Sequence, residues 1–163
     1  AIDFSAALVL AAKMLGYTVT VCDARPVFAT AKRFPEADHV VVDWPHRWLE
    51  QQEVDPRTVI AVLTHDPKFD VPALKVALAT KAGYIGAMGS RRTHEDRVSR
   101  LREAGVSDVE LARIHSPIGV DIGARTPEET AISICAEIVQ HRWGGSGQSL
   151  TKTQGPIHPG APR

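Results

Sequence analysis

Residues 84–92, Tyr84-Ile85-Gly86-Ala87-Met88-Gly89-Ser90-Arg91-Arg92, join an apolar run typical of a buried strand to the charged start of a helix. Ser90 is a preferred N-cap residue, and the first free N–H groups of a helix point past its cap. Arg91 and Arg92 add cationic groups beside the positive end of the helix dipole, which suits a phosphate or a carboxylate. A capped helix with two solvated arginines explains the same spacing equally well, so the rest of the chain must decide.

The composition is that of one globular domain. The chain has 163 residues, of which 44% are hydrophobic and 23% are charged, enough to bury a real core. Its 19 basic and 19 acidic side chains balance, so no bulk field attracts nucleic acid or an anionic membrane, and we expect neither partner. The first apolar stretch is interrupted by Asp3, Ser5 and Lys13 and lacks the basic start of a signal peptide, which predicts a cytoplasmic protein.

The two cysteines, Cys22 and Cys135, lie far apart in apolar surroundings. This context favours buried free thiols in a reducing compartment over a disulfide or a metal pair. No spacing resembles a zinc site, and no metal site is predicted.

Strand-like and helix-like segments alternate strictly along the chain. The strand-like runs are continuously apolar, which is typical of strands buried on both faces of a parallel sheet that helices cover. The sequence therefore predicts an α/β fold with a Rossmann-like parallel sheet and helices on both faces. Strands are predicted at 17–22, 39–42, 59–63 and 84–88, and helices at 4–15, 29–33, 45–52, 71–81 and 91–104.

The C-terminal part begins with a glycine-bearing segment at 116–123 and continues into a helix. Thr126 and Glu129 form a predicted capping box, with Pro127 at the first helical position. Apolar residues recur at helical spacing after it and predict a core helix. From Gly144 onward Gly, Ser, Thr, Gln and Pro dominate, so we assign 1–143 to one Rossmann-like domain and 144–163 to an irregular tail.

Ligands of parallel α/β sheets bind outside the carboxyl ends of the strands, near the point where the strand order reverses. The residues at and after the ends of the predicted strands are therefore the candidates for a binding site. The glycine-bearing segment adds further positions, because glycine lets the backbone approach a ligand closely. The candidates are Asp23, Arg25, His65, Asp66, Gly86, Gly89, Ser90, Arg91, Arg92, Gly119, Asp121 and Gly123.

The first strand of a dinucleotide-binding sheet has no counterpart in this sequence. Such sheets begin with a strand, a Gly-x-Gly-x-x-Gly turn and a helix, and an acid after the second strand binds the ribose. The chain supplies the helix and places Asp23 in the position of the acid, whereas Ala1 already stands in the turn. We therefore expect a strand upstream of Ala1 that pairs with residues 17–22.

Four motifs, in this order, give a resemblance to a known family. They are Val19-Thr20-Val21-Cys22-Asp23-Ala24-Arg25-Pro26, then Thr64-His65-Asp66, then residues 84–92, then Pro117-Ile118-Gly119-Val120-Asp121-Ile122-Gly123-Ala124 with Thr126-Pro127-Glu128-Glu129. Over roughly residues 5–143 the chain resembles the C-terminal Rossmann-like domain of the XdhC/CoxF family. The resemblance implies a maturation factor that binds molybdenum cofactor (molybdopterin) and serves xanthine dehydrogenase-type molybdenum hydroxylases. It also implies an additional N-terminal domain.

The residues also leave two alternatives to a maturation factor: an oxidoreductase or nucleotide-binding domain, and a scaffold. An NAD(P)-dependent oxidoreductase or nucleotide-binding domain needs a clean glycine turn, but Ile2 would hold the backbone away from a pyrophosphate and Asp3 would repel it. Asp23 pairs with Arg25 in a turn as readily as it binds ribose, and His65 is open to a structural role. The third option is a scaffold that only recruits an enzyme. No catalytic residue stands out, so an accessory protein is favoured over a catalyst, and a homodimer is left open.

Overall fold

The computed structural model describes residues 2–158. The strands are β1 (Thr20–Asp23), β2 (His39–Val42), β3 (Val59–Val62), β4 (Tyr84–Ala87) and β5 (Ile114–His115). The helices are α1 (Ile2–Met14), α2 (Pro45–Glu50), α3 (Pro67–Leu78), α4 (Arg91–Glu103), α5 (Asp108–Leu111) and α6 (Pro127–Trp143), and an exposed 3-10 turn follows at Leu150–Lys152. Within this part of the chain, no helix combines the length and the hydrophobicity needed to cross a bilayer.

All strand pairs run parallel, which confirms the predicted α/β fold with a Rossmann-like sheet. Among residues 2–158 the sheet has two parts: β1 pairs with β2, and β4 lies between β3 and β5. Helices α1 and α6 pack together over one face, and α2, α3 and α4 cover the other. Parallel strands joined by crossovers place their carboxyl ends at one edge. The residues that follow the strands therefore gather at that edge.

Strand β4 is the centre of the core. All four of its residues are buried, and Ile85 is only 1% exposed. Leu74 of α3 and Leu101 of α4 belong to the apolar cluster on one face, and Ile134 of α6 belongs to the cluster on the other. Full burial of a side chain of this size contributes about 1.5–3 kcal/mol to stability. The turn that follows β4 is therefore anchored by a strand that is held on both faces.

The two helix starts at which the sequence predicts a cap are confirmed. Ser90 accepts a hydrogen bond from the Thr93 amide at 3.1 Å. Thr126 and Glu129 form the expected capping box. Gly144 ends α6 with φ +74°, in the left-handed region that favours glycine. Each N-cap of this kind stabilises its helix by about 1 kcal/mol.

Two predicted elements differ from the structure. Residues 29–33 form isolated turns instead of a helix, because the Thr30 hydroxyl accepts from the Arg33 amide and Pro35 follows closely. The prediction contains neither α5 nor β5, although Ser107 and Glu110 form a capping box of the same type as the one that starts α6.

The expected burial of the strands on both faces holds for β4 but is wrong for β1, β2 and most of β3, in which Val62 alone is buried. The residues of β1 are half-buried, and both ends of β2 are exposed. The physical reason is that β1, β2 and β3 each have one edge that pairs with no strand of the described residues. The continuous apolar run that predicted burial is present in β1, but among the described residues no strand pairs with the edge of β1 opposite β2.

Candidate functional site

Four of the predicted site residues lie together near the carboxyl ends of β1 and β3. Asp23 and Arg25 stand at the end of β1, and His65 and Asp66 follow β3. All four line a cavity of about 710 Å³ that extends between the two parts of the sheet. The residues of β1 and β3 bound its inner part, which is mostly apolar. We call its charged end, defined by these four residues and Phe69, the mouth.

Asp23 and Arg25 form a closed ion pair at the mouth. One carboxylate oxygen of Asp23 accepts from the backbone amide and from Nε of Arg25, both at 2.9 Å, and the other accepts from Nη2 at 2.8 Å. Burial opposes ionisation of Asp23, but the hydrogen bonds from Arg25 together outweigh burial and hold the pKa of Asp23 below its usual value. The turn-forming pair that the sequence left open is therefore present, and it keeps the carboxylate ionised at neutral pH.

Aromatic rings surround the guanidinium of Arg25. Its Cζ lies 4.4 Å from the centre of the Phe28 ring and 5.4 Å from that of Phe69, and Phe69 packs against Trp44 with a centroid separation of 5.2 Å. Lys68 Nζ lies 5.2 Å from the Trp44 ring. Rings and cations in this arrangement stack well on a flat heterocycle. These rings are absent from the predicted set, although Trp44 and Phe69 stand shortly after β2 and β3.

Asp66 has a structural role as the N-cap of α3. Its Oδ1 accepts from the Lys68 amide at 3.0 Å. The carboxylates of Asp23 and, more weakly, Asp66 raise the pKa of Arg25. His65 is exposed at the rim of the mouth and also lines a second cavity of about 210 Å³ between α3 and α4. A binding role for His65 and Asp66 stays a prediction.

The turn that follows β4 has the backbone geometry of an anion site. Gly89 has φ +145°, which favours glycine, and a Cβ there would lie 3.0 Å from the Thr93 side chain. Ser90 caps α4, so the amides of Arg91 and Arg92 have no partner within the helix. Both arginine side chains are exposed, and no described residue forms an ion pair with them. The turn thus offers free N–H groups, a helix dipole and two guanidinium groups.

A buried ion pair holds the residue before this turn in place. Arg97 Nη2 donates to Asp70 Oδ2 and to the Met88 carbonyl, each at 2.9 Å, and Arg97 Nη1 donates to the Ser116 hydroxyl at 3.4 Å. The side chains of Arg97 and Asp70 are 2% and 3% exposed. Arg97 therefore fixes the residue that precedes Gly89 and ties α3, α4 and the segment after β5 to one point.

The second cavity lies beside both the mouth and the turn. His65 lines both cavities, while Thr93 and Arg97 line the second one and lie next to Gly89. His65 and Gly89 therefore stand at the same edge of the sheet, in agreement with the strand directions.

The glycine-bearing segment after β5 packs on α6, and none of its predicted site residues lines the cavity at the mouth. The Gly119 amide donates to Glu137 Oε1 at 3.2 Å, and a Cβ at Gly119, which has φ +104°, would lie 2.4 Å from the Ser133 hydroxyl. Asp121 and Gly123 are exposed and line neither of the two cavities. The structure therefore does not place Asp121 in one crevice with His65, and packing accounts for the glycine at 119.

Packing also accounts for Gly86. It is buried within β4, and an added Cβ would lie 2.5 Å from the Ile118 side chain and 2.9 Å from the Tyr84 ring. The missing side chain lets Ile118 pack directly against the strand. A ligand contact is not needed to explain this glycine.

Replacing Tyr84 by phenylalanine is expected to lower the free energy of unfolding by about 1–2 kcal/mol. The Tyr84 hydroxyl donates to the Glu137 carboxylate, its ring stacks on His115 at 4.6 Å, and burial followed by the Glu137 bond raises the pKa of Tyr84. Loss of the hydroxyl leaves the part-buried carboxylate short of a donor. Urea unfolding measures the change. The matched control is Tyr17→Phe, because the Tyr17 hydroxyl bonds to no described residue. Equal effects of the two substitutions on the free energy of unfolding would contradict a stabilising role for the hydrogen bond from Tyr84 to Glu137.

The start of α1 is less suited to an anion than the turn after β4. Asp3 lies in the first turn of α1, where its carboxylate opposes a phosphate. The side chain of Ile2, the other residue that argues against a pyrophosphate there, lies outside the described residues. The geometry therefore favours the turn at Gly89 for the anionic part of a ligand.

Comparisons with known proteins agree with this architecture. The family model of the XdhC Rossmann domain matches residues 1–138. The crystal structure of a xanthine dehydrogenase from Bacillus halodurans is similar, with a TM-score of 0.72 and 30% sequence identity, over 93% of this chain and 41% of that one.

Curated relatives are longer proteins. A probable xanthine dehydrogenase subunit of Bacillus subtilis is 33% identical over 127 residues, which is 78% of this chain and 36% of that protein. The molybdenum cofactor insertion chaperone PaoD of Escherichia coli is 37% identical over 90 residues, or 55% of this chain and 28% of that protein. The chain thus spans about a third of the length of the curated relatives it matches. With a family match over most of its length, the chain belongs to the XdhC Rossmann domain family.

Proposed function

We propose that this protein is a maturation factor that holds molybdenum cofactor for insertion into a xanthine dehydrogenase-type molybdenum enzyme. One structural observation carries the proposal: the mouth, where the Arg25 guanidinium lies beside aromatic rings, stands at the same edge of the sheet as a turn that offers helix N–H groups and two exposed guanidinium groups. His65 lines the cavity at the mouth and also the second cavity, which lies beside this turn. The names of two relatives support it, since one is a molybdenum cofactor insertion chaperone and the other is a probable xanthine dehydrogenase subunit.

The residues fit the chemistry of the cofactor, which combines a flat pterin with a phosphate. The rings of Phe28 and Phe69 beside the Arg25 guanidinium would hold a flat heterocycle by stacking. The amides and guanidinium groups of Arg91 and Arg92 would hold the phosphate. When bound, the cofactor supplies the metal and its sulfur ligands to the target enzyme. The chain itself binds, orients and shields it, which needs no nucleophile.

An NAD(P)-dependent oxidoreductase is the second candidate, and one observation favours it. Asp23 stands at the end of β1, the position of the ribose-binding acid in dinucleotide-binding sheets. However, both oxygens of Asp23 accept hydrogen bonds from Arg25, and Asp3 occupies the first turn of α1. A bound nucleotide would have to displace Arg25 from Asp23, and its pyrophosphate would lie beside the Asp3 carboxylate. We therefore favour the accessory role.

The proposal also includes the cellular compartment in which the protein acts. We place it in the cytoplasm, where free thiols such as Cys22 and Cys135 persist, and where it meets its molybdenum enzyme. Burial, with smaller contributions from Asp43 and Asp23, raises the pKa of Cys22 to about 11. This thiol is therefore protonated at neutral pH and is unsuited to a thiolate role in handling the cofactor.

Replacing Asp66 by serine is expected to lower delivery of active molybdenum enzyme about fivefold, the equivalent of one lost hydrogen bond of about 1 kcal/mol. Serine retains the N-cap of α3, whereas alanine would also remove the cap. The measurement is the activity of a co-expressed xanthine dehydrogenase-type enzyme per molecule of accessory protein. Asp55→Ser, in an exposed turn that precedes β3, is the matched control.

Two results would contradict a binding role for Asp66. One is delivery by Asp66→Ser equal to that of the parent protein. The other is a loss of delivery that is matched by a large fall in the melting temperature, since the capped helix is expected to keep its stability to within about 0.5 kcal/mol.

A further inference from the structure

The proposed function assigns no part of its ligand to the second cavity, which lies between α3 and α4 and which we call the cleft. Two acids, Asp70 and Asp96, and two arginines, Arg97 and Arg100, line it. Its volume of about 210 Å³ is below the usual range of sites for drug-sized ligands. The cleft therefore suits one small polar group of a ligand.

One buried carboxylate oxygen at the cleft lacks a partner. Asp70 is 2% exposed, and its Oδ1 has no hydrogen-bond partner among the described residues. Its Oδ2, in contrast, accepts from Nε and Nη2 of Arg97 at 3.3 and 2.9 Å. A buried acceptor that stays unsatisfied is unfavourable. Oδ1 is therefore a preformed acceptor for a donor that enters the cleft.

The charges around the cleft favour a neutral donor over a cation. Arg97 already neutralises Asp70, and a second cation at Oδ1 would be repelled by the Arg97 guanidinium. Asp96 and Arg100 stand one turn apart on α4 and add one charge of each sign. Neither of them forms an ion pair with a described residue, so both are available to a ligand.

Unused donors complement the free acceptor. Arginine has one N–H on Nε and two on each Nη. In Arg97, Nε and Nη2 donate to Asp70, Nη2 also donates to the Met88 carbonyl, and Nη1 donates to the Ser116 hydroxyl. One N–H of Nη1 therefore remains, and the exposed Arg100 adds a second guanidinium. The cleft thus combines acceptors and donors within one small volume.

An aminopyrimidinone ring, the unit that guanine and pterin share, matches this set of groups. Along one edge it carries an amino group and a ring N–H, which are both donors, and then a carbonyl oxygen. Asp70 and Asp96 can accept from the donors, and Arg100 can donate to the carbonyl, as such side chains do with the edges of nucleobases. Pro67 and Val71 give the cleft an apolar wall for the face of the ring.

The cleft also lies beside the turn at Gly89. Thr93 and Arg97 line the cleft, and a Cβ at Gly89 would lie 3.0 Å from the Thr93 side chain and 3.7 Å from Arg97 Nη1. The turn offers free helix N–H groups to an anion. A ring in the cleft is therefore compatible with a phosphate at the turn.

We propose that the cleft is a second recognition site, which binds the aminopyrimidinone ring of a phosphate-bearing ligand through Asp70 Oδ1. The ring belongs to a guanine nucleotide or to a pterin. The pterin source rests on the proposed function and places the ring of the cofactor in the cleft instead of at the mouth, whereas the nucleotide source is independent of it. Asp70 determines the specificity of the cleft, because its free oxygen distinguishes an amino group from a hydrogen atom or an oxo group.

The first test uses two pairs of ligands that differ in the amino group. Guanosine monophosphate is compared with inosine monophosphate, which lacks this group, and pterin with lumazine, which carries an oxo group in its place. Each is titrated into the purified protein by calorimetry. We expect the ligand with the amino group to bind at least tenfold more tightly in one pair or both, the equivalent of one hydrogen bond to a charged group.

The pattern of preference identifies the source of the ring. A preference in the nucleotide pair alone identifies a nucleotide, a preference in the pterin pair alone identifies a pterin, and a preference in both shows that the ring is recognised by itself. Equal affinities within both pairs, or no binding of any of the four ligands, would overturn the proposal.

The second test asks whether the preferred ligand binds in the cleft. Replacing Asp96 and Arg100 together by alanine leaves the buried pair intact and is expected to weaken binding at least fivefold. The matched control replaces Arg102 and Glu103 by alanine, which removes the same charges from α4 outside the cleft and is expected to change nothing. Equal affinities of the two double variants would overturn the proposal.

Asp70→Asn tests the acceptor itself. The amide oxygen is expected to face the Arg97 guanidinium, so an amide N–H takes the place of Oδ1 and the preference for the amino group is lost. A preference that persists in a folded Asp70→Asn protein would overturn the proposal. If this variant does not fold, the ligand pairs and the double variants decide the question.

Titration with molybdenum cofactor keeps this proposal separate from the proposed function. A protein that binds the cofactor but shows no preference within either pair retains the proposed function and loses the cleft as a site. A protein that shows the preference and does not bind the cofactor retains the cleft and loses the proposed function.

Discussion

Replacing Arg97 by methionine is expected to lower the free energy of unfolding by about 3–5 kcal/mol. Both partners of the Arg97–Asp70 pair are almost fully buried, and Asp70 Oδ1 has no hydrogen-bond partner among the described residues. Removing the guanidinium would leave a buried carboxylate without compensation and would free the Met88 carbonyl. Urea or thermal unfolding of the purified protein measures the loss.

A double substitution separates this effect from simple loss of packing. Asp70→Leu combined with Arg97→Met replaces the buried charges by apolar groups of similar size, and we expect it to cost less than either single change. Arg102→Met breaks an exposed pair with Asp108, whose members are 60% and 81% exposed, and is expected to cost less than 1 kcal/mol. If Arg97→Met costs no more than Arg102→Met, the pair does not support the fold as described.

Replacing both Arg91 and Arg92 by alanine is expected to weaken binding of molybdenum cofactor at least tenfold. Each charge-assisted bond to a phosphate is worth about 1.5–3 kcal/mol, and 1.4 kcal/mol is a factor of ten in affinity. Both side chains are exposed and lie in the first turn of α4, so stability should change little. Titration of the purified variants under anaerobic conditions measures the affinity.

The control for this pair removes the same charge at the opposite edge of the sheet. Arg57 and Lys81 precede β3 and β4, and their replacement by alanine should leave the affinity unchanged. Gly89→Ala tests the backbone instead of the charge, because φ +145° strains any other residue and the turn would shift. Unchanged affinity in both the double arginine variant and Gly89→Ala would remove this turn from the site.

The parts of the fold that local chemistry determines were predictable from the sequence. The apolar runs gave the major strands, and Ser90 with the Thr126–Glu129 box gave two helix starts, because caps depend on a few adjacent residues. Strand direction then placed His65, Asp66 and Gly89 at one edge. These inferences need no knowledge of distant contacts.

The parts that depend on tertiary packing were not predictable in the same way. Asp70 stands one helical turn before Leu74, and Arg97 stands one turn before Leu101, so a charge at a core position was the available signal for the buried pair. The role of Gly119 depends on Ser133, which is distant in sequence. Loop residues such as Asp121 carry no periodicity that fixes their direction, and only the structure shows that Asp121 does not line the cavity at the mouth.

The most direct test of the proposed function is a comparison of two ligands on one protein. The purified protein is titrated separately with molybdenum cofactor and with NAD, and bound ligand is identified by native mass spectrometry. We expect molybdenum cofactor to bind at least tenfold more tightly than NAD, because the rings beside Arg25 suit a flat heterocycle and the turn at Gly89 suits an anion, while Asp3 and the engaged Asp23 oppose a dinucleotide. Tighter binding of NAD than of molybdenum cofactor would contradict the proposed function.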